Sequence, residues 1–160
     1  MKKFGHTERI KIGFVASSGG HWEELMCLKQ IADSNETFYV TEKGGQAQDF
    51  KNDKLYLFPQ INRKERLFVP KFIGLMIGSL KTIITERPKV LITTGALLSV
   101  PFCVWGKLCG AKIIYIESFA RVEDASMTGK IMYRWADLFL VQWESMLKVY
   151  PKAKFVGGIF

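Results

Sequence analysis

Ile10-Lys11-Ile12-Gly13-Phe14-Val15-Ala16-Ser17-Ser18-Gly19-Gly20-His21 is the stretch whose reading decides the fold. An apolar run breaks into two serines, two glycines and a histidine. Residues 10–16 read as a buried strand, and the Ser-Ser-Gly-Gly that follows reads as its exit turn. Residues 21–33 then read as a helix, with Leu25, Leu28 and Ile31 on one face and Cys27 nearby. Glu23 and Glu24 occupy its first turn, where carboxylates suit the positive end of the helix dipole. Glycines at such a junction let the chain turn tightly and let a ligand approach the backbone. The N–H groups of the helix start favour an anion, a phosphate or diphosphate above all. Neither GxGxxG nor GK[ST] is present, so the loop is neither a dinucleotide fingerprint nor a Walker A loop. Ser17, Ser18, Gly19 and Gly20 are candidate phosphate-binding residues, with close helix–strand packing as the alternative reading. His21 can cap the helix, orient a phosphate or act as a general base. Glu24 either anchors the His21 ring across one turn or serves the dipole.

Working outward, short β-type runs cover 37–41, 55–58, 90–93, 112–116, 138–142 and 155–156. Helical patterns cover 69–86, 97–108 and 128–135, with a short helix at 47–50 and a helical turn or two at 144–149. Pro70 and Pro101 fall in first turns, where the missing N–H costs nothing. Pro88 closes the long helix and Gly110 stops the next. Strands alternating with helices predict an α/β fold: one Rossmann-like domain over 1–160 with a mostly parallel sheet covered on both faces, and residues 1–9 flexible. Ligands of such sheets bind beyond the carboxyl ends of the strands.

Two further loops are expected at that edge. Thr94 and Gly95 supply a hydroxyl and a turn, as a ligand clasp or a hydrogen-bonded turn. Glu117, Ser118 and Arg121 follow the strand at 112–116. Arg121 can fork onto a phosphate or pair with Glu117. Ser18, His21 and Glu117 lack a GxSxG elbow, which argues against a hydrolase.

The 160 residues carry a net charge of +8 and are 48% apolar. Residues 60–90 hold seven basic side chains against two acidic ones, beside the most apolar stretch of the chain. Arg63, Lys64 and Arg66 adjoin Phe68, Phe72 and Met76 on a helix that is apolar almost all round at its start. The apolar surplus meets an anionic lipid surface, a partner subunit, or the domain's own core. Basic residues flank grease rather than line a polar groove, so nucleic acid is not the expected partner. Residues 67–80 are too short to span a bilayer but long enough to lie on one. Cys27, Cys103 and Cys109 lack metal-ligand spacing and read as reduced, buried thiols. No DxD pair is present, so no metal is demanded.

The loops and their order resemble the acceptor-side, membrane-associated enhancer subunit of split GT-B glycosyltransferases. That family includes a subunit of the eukaryotic enzyme adding the second GlcNAc to dolichol-diphosphate-GlcNAc, and bacterial capsule and exopolysaccharide proteins. The N-terminal domain of the GlcNAc transferase of the peptidoglycan lipid precursor is similar more distantly. The resemblance is carried by Ser17-Ser18-Gly19-Gly20-His21 with Glu24, by Thr93-Thr94-Gly95, by Ile116-Glu117-Ser118-Phe119-Ala120-Arg121, and by Ala136-Asp137 with the strand after it. It implies one half of a GT-B fold, peripheral at the cytoplasmic face of the membrane, holding a polyprenyl-diphosphate-linked sugar. A catalytic partner with the other Rossmann-like domain would hold most of the UDP-sugar, and no cofactor would be tightly bound. His21 or Glu117 would help deprotonate the acceptor hydroxyl, with Arg121 offsetting phosphate charge. Lacking the N-terminal membrane helix of the eukaryotic members, the chain is expected to serve bacterial capsule or exopolysaccharide synthesis. The other reading is a non-catalytic scaffold that recruits the catalytic subunit to the membrane.

Overall fold

A computed structural model describes residues 9–45, 50 and 54–159. Residues 47–49 of the short helix expected at 47–50, and nearly all of the flexible segment expected at 1–9, lie outside the described residues. Among the described residues seven strands form one sheet in the order β3-β2-β1-β4-β5-β6-β7, and every pairing is parallel. They are β1 (Lys11–Ala16), β2 (Glu36–Glu42), β3 (Leu55–Phe58), β4 (Val90–Gly95), β5 (Lys112–Ile116), β6 (Leu138–Val141) and β7 (Lys154–Phe155). The helices are α1 (Gly20–Met26), α2 (Lys29–Asp33), α3 (Phe68–Glu86), α4 (Ser99–Leu108) and α5 (Met127–Trp135), with a 3₁₀ turn at Glu144–Lys148.

The period of two along each strand sorts the side chains into two cores. Ile12, Phe14, Tyr39, Ile92 and Ile116 face Trp22, Leu25 and Ala32 of α1 and α2. Val15, Phe38, Val40, Leu91, Ile113 and Phe139 face Leu75 and Ile83 of α3, Phe102 of α4 and Met132 of α5. Helices on both faces bury most of each central strand, which is why these read as apolar runs.

The helix expected over 21–33 is two helices. The Leu28 N–H bonds the Leu25 carbonyl three residues back, which tightens the chain and turns α2 away from α1. Cys27 lies in that break and Cys109 at the carboxyl end of α4, so both are exposed. Only Cys103 is buried, and burial pushes its thiol up to about 12.

Strand order reverses between β1 and β4, so the chain leaves these neighbours in opposite directions and opens a crevice at their carboxyl ends. The register slips there: Val15 pairs with Thr93 but Ala16 with Gly95, leaving Thr94 as an extra residue in a bulge. Gly95, at φ 110, adopts a conformation that a residue with a Cβ rarely takes.

Candidate functional site

The bulge aims the Thr94 hydroxyl at α1, where it donates to the His21 carbonyl at 2.7 Å. That bond fixes the amino end of α1 against β4. The turn into α1 is made by Gly19, at φ 84, whose carbonyl accepts the N–H groups of Trp22 and Glu23. Ser17 is buried, and Ser18 turns away to donate to Glu42 at 3.2 Å. The His21 side chain faces a cavity of about 850 Å³, and its buried Nδ1 has no hydrogen-bond partner among the described residues.

Three walls meet at this cavity. His21 with Ala96 and Leu97 forms one, and Ser118, Ala120 and Arg121 after β5 form the second. The third is the loop from Gln60 to Glu65, with Ser126, Met127 and Thr128 at the start of α5. Arg63 donates to the Met127 sulfur at 2.8 Å, joining the loop to the start of α5. The loop holds its own shape: Glu65 Oε1 accepts the Asn62 N–H, and Asn62 Oδ1 accepts the Lys64 N–H. Of the residues singled out in the sequence, His21, Ser118, Arg121, Arg63 and Lys64 line this one cavity. Ser17, Ser18, Gly19, Gly20, Thr94, Gly95 and Glu117 do not line it; Thr94 and Glu117 are buried, and support the residues that do.

Glu117 is 1% exposed and accepts from four donors. Its Oε2 takes the hydroxyls of Tyr150 at 2.7 Å and Ser126 at 3.1 Å. Its Oε1 takes the Ser118 N–H at 3.1 Å and, more weakly, the Tyr115 hydroxyl. Burial first, and then the negative Glu117, push both tyrosines far up, so they remain protonated donors. The pairing of Glu117 with Arg121 does not form. Glu24 does not anchor His21 either: it accepts from Ser118 Oγ at 2.9 Å and from the Phe119 N–H at 3.0 Å. Among the described residues, Arg63, Lys64 and Arg121 therefore carry no ion pair. Among those residues, too, no cluster of three His, Cys, Asp or Glu side chains suits a metal ion.

Sequence reasoning missed Ser126, Tyr115, Tyr150 and Gln142. Ser126 was legible in principle as the N-cap of α5, accepting the Gly129 N–H at 2.8 Å. The tyrosines and Gln142 gave no signal, because only the folded sheet brings them under Glu117 and Glu24.

Beside the cavity, α3 packs Leu75, Ser79, Thr82, Ile83 and Glu86 inward at helical spacing. Phe68, Phe72 and Met76 are half-buried: the two phenyl rings stack at 5.6 Å, and the Met76 carbonyl accepts the Trp105 indole N–H. The outward stripe is Val69, Ile73, Ile77 and Ile84, with Leu67 before the helix. Arg63, Lys64, Arg66 and Lys71 are exposed at its amino end. At 19 residues α3 is long and apolar enough to cross a membrane, yet one side of it is packed on the domain.

The family described as "Oligosaccharide biosynthesis protein Alg14 like" matches residues 61–159. Among curated relatives, the human UDP-N-acetylglucosamine transferase subunit ALG14 is 38% identical, over 95% of this chain and 84% of that protein. The subunit of the same name from Yarrowia lipolytica is 33% identical, over 92% and 80%. Among solved structures, MurG of Acinetobacter baumannii superposes with a TM-score of 0.71 at 14% identity, over 92% of this chain and 45% of that one. UDP-N-acetylglucosamine 2-epimerase of Rickettsia bellii gives 0.71 at 13%, over 95% and 46%. The chain thus spans somewhat under half the length of these structures, and has the fold of one half of a GT-B protein.

Proposed function

The chain belongs to the Alg14-like family, and from that premise we propose that it is the acceptor-holding, partner-dependent subunit of a UDP-sugar glycosyltransferase. It holds a lipid-diphosphate-linked sugar, while a second Rossmann-like subunit binds the UDP-sugar and completes the active cleft. The donor best supported by the relatives' names is UDP-N-acetylglucosamine. The likenesses do not single out capsule or exopolysaccharide synthesis, so the proposed acceptor stays at the coarser class.

One observation carries the reading: three cations that form no ion pair among the described residues and a histidine share one cavity, next to a helix with an exposed apolar stripe. A lipid-linked diphosphate offers both halves of the complement. Its phosphates suit Arg63, Lys64 and Arg121. Its chain can leave along α3, whose stripe and basic end suit an anionic membrane surface and make the protein peripheral there. His21 is the group placed to meet the acceptor sugar hydroxyl. Glu117, with both oxygens engaged inside the protein, supports the loop that carries Ser118 and Arg121. That engagement also favours a second reading, in which the subunit only recruits its partner and supplies no reacting group.

The test is transfer from UDP-N-acetylglucosamine to a short polyprenyl-diphosphate sugar by the reconstituted pair. Arg121→Ala is expected to raise the acceptor KM about tenfold, ~1.4 kcal/mol of lost binding. His21→Ala is expected to lower kcat at least tenfold with partner binding intact. Unchanged kcat with His21→Ala selects the recruiting scaffold, and an unchanged KM with Arg121→Ala removes the acceptor from this cavity.

A further inference from the structure

Gln142 closes a line of buried hydrogen bonds that runs from the carboxyl-terminal segment to the cavity. It directly follows β6 and is 3% exposed. Its Nε2 donates to the Glu117 carbonyl at 3.1 Å and to Glu24 Oε2 at 3.4 Å. Its Oε1 accepts the Ile159 N–H at 3.0 Å. Ile159 offers a donor and Glu117 an acceptor, so only one orientation of the amide serves both. Glu24, itself 3% exposed, passes the connection on through Ser118 Oγ and the Phe119 N–H. Glu24 also stands one turn after His21 on α1, so its carboxylate ties the helix carrying His21 to the loop carrying Ser118 and Arg121.

We propose that Gln142 is a positioning residue: it sets the separation between the His21 wall and the Ser118–Arg121 wall, and makes it depend on where residue 159 sits. The amide hydrogen-bonds to all three segments at once. A carboxylate buried at Glu24 needs its donors, and losing one costs more than the bond returns when made. With Ile159 withdrawn, the Gln142 amide loses the partner that fixes its orientation, and its two donors to Glu24 and Glu117 slacken together. The link is reciprocal: a ligand that draws the two walls together also holds residue 159 in place. The inference deepens the proposed function by making acceptor binding sensitive to the carboxyl-terminal segment. The wiring itself does not depend on that function.

Ile159→Pro removes the N–H and leaves every cavity residue intact; Ile159→Ala, which loses the packing of Ile159 on the core but keeps the N–H, is its control and is expected to leave Phe119 exchange unchanged. In Ile159→Pro, amide hydrogen exchange followed by NMR is expected to show Phe119 exchanging at least tenfold faster, with the amides of β1 and β4 unchanged. Gln142→Leu, which removes both donors, is expected to do the same. In the reconstituted pair, Ile159→Pro is expected to raise the acceptor KM about tenfold while kcat stays within twofold. Unchanged exchange at Phe119 in Ile159→Pro overturns the proposal. So does faster exchange throughout the sheet in both variants, which would make Gln142 an ordinary stabilising residue. Faster exchange confined to Phe119 and its neighbours with an unchanged KM upholds the wiring and overturns the assignment of the cavity to the acceptor.

Discussion

Apart from Glu65, which pairs with Lys71 at the rim of the cavity, the two ends of the sheet treat carboxylates in opposite ways. At the amino ends of the strands they are answered by lysines. Glu36 meets Lys11 at 2.9 Å and Lys54 at 2.7 Å, Glu86 meets Lys11 at 3.1 Å, and Asp137 meets Lys107 and Lys112 at 3.2 and 3.1 Å. At the carboxyl ends, Glu24 and Glu117 are answered by hydroxyls, backbone N–H groups and the Gln142 amide, and Ser18 donates to Glu42. Neutral donors hold a buried carboxylate without consuming a cation. The cavity thereby keeps Arg63, Lys64 and Arg121 available to an anionic ligand. At the other end Lys11, Lys54, Lys107 and Lys112 are taken up by Glu36, Glu86 and Asp137.

The largest way to break this contrast is Gly129→Ala. A Cβ there would overlap Glu117 Oε2 and the Tyr150 hydroxyl, so the α5 start must move off the carboxylate. Overpacking joined to a disrupted buried network is expected to cost about 3 kcal/mol. Urea unfolding checks it; a loss under about 1 kcal/mol would mean that the network gives way cheaply and holds nothing in register.

How much of this was legible in the sequence follows from how local each signal is. The apolar runs at 10–16 and 90–93, and the Ser-Gly-Gly turn after β1, are local, and they led to the parallel sheet and to the edge where the cavity lies. His21, Ser118 and Arg121 were placed at strand ends by the same logic. The ion pair of Glu117 with Arg121 was one of two readings open from spacing. It fails because Tyr150, 33 residues on, reaches the carboxylate first, and no local pattern announces that. Arg63 and Lys64 were legible as basic residues beside grease. The loop after β3 nevertheless turns them over the cavity, while Val69, Ile73 and Ile77 face outward in place of Phe72 and Met76.

Asp137→Asn probes the lysine-paired end with a smaller effect. The Ile113 N–H first, and then Lys112 and Lys107, hold the Asp137 carboxyl down to about 2, below its ordinary value. A carboxyl depressed in the folded state contributes stability above its unfolded value, and loses it as pH falls toward about 2. The asparagine keeps an acceptor for Ile113 but no charge. It is expected to cost about 1 kcal/mol at pH 7, discounted for the exposure of both lysines. The gap between the two proteins should close between about pH 4 and pH 2. A gap constant over that range would assign the whole effect to the neutral hydrogen bond.

Glu36→Gln should do least, although its carboxyl is held at about 2 by Lys54 and Lys11. That shift comes from charges standing in water, where side-chain ordering and screening offset the attraction. Lys11 also keeps Glu86, which is the buried member of the cluster and accepts the Tyr56 hydroxyl at 2.5 Å as well. The variant is expected to melt within 1 °C of the parent at low salt and at about 0.5 M salt alike. A clear loss at low salt that fades with added salt would show the four charges acting as one network, and the amino end of the sheet would then hold its carboxylates as cooperatively as the carboxyl end does.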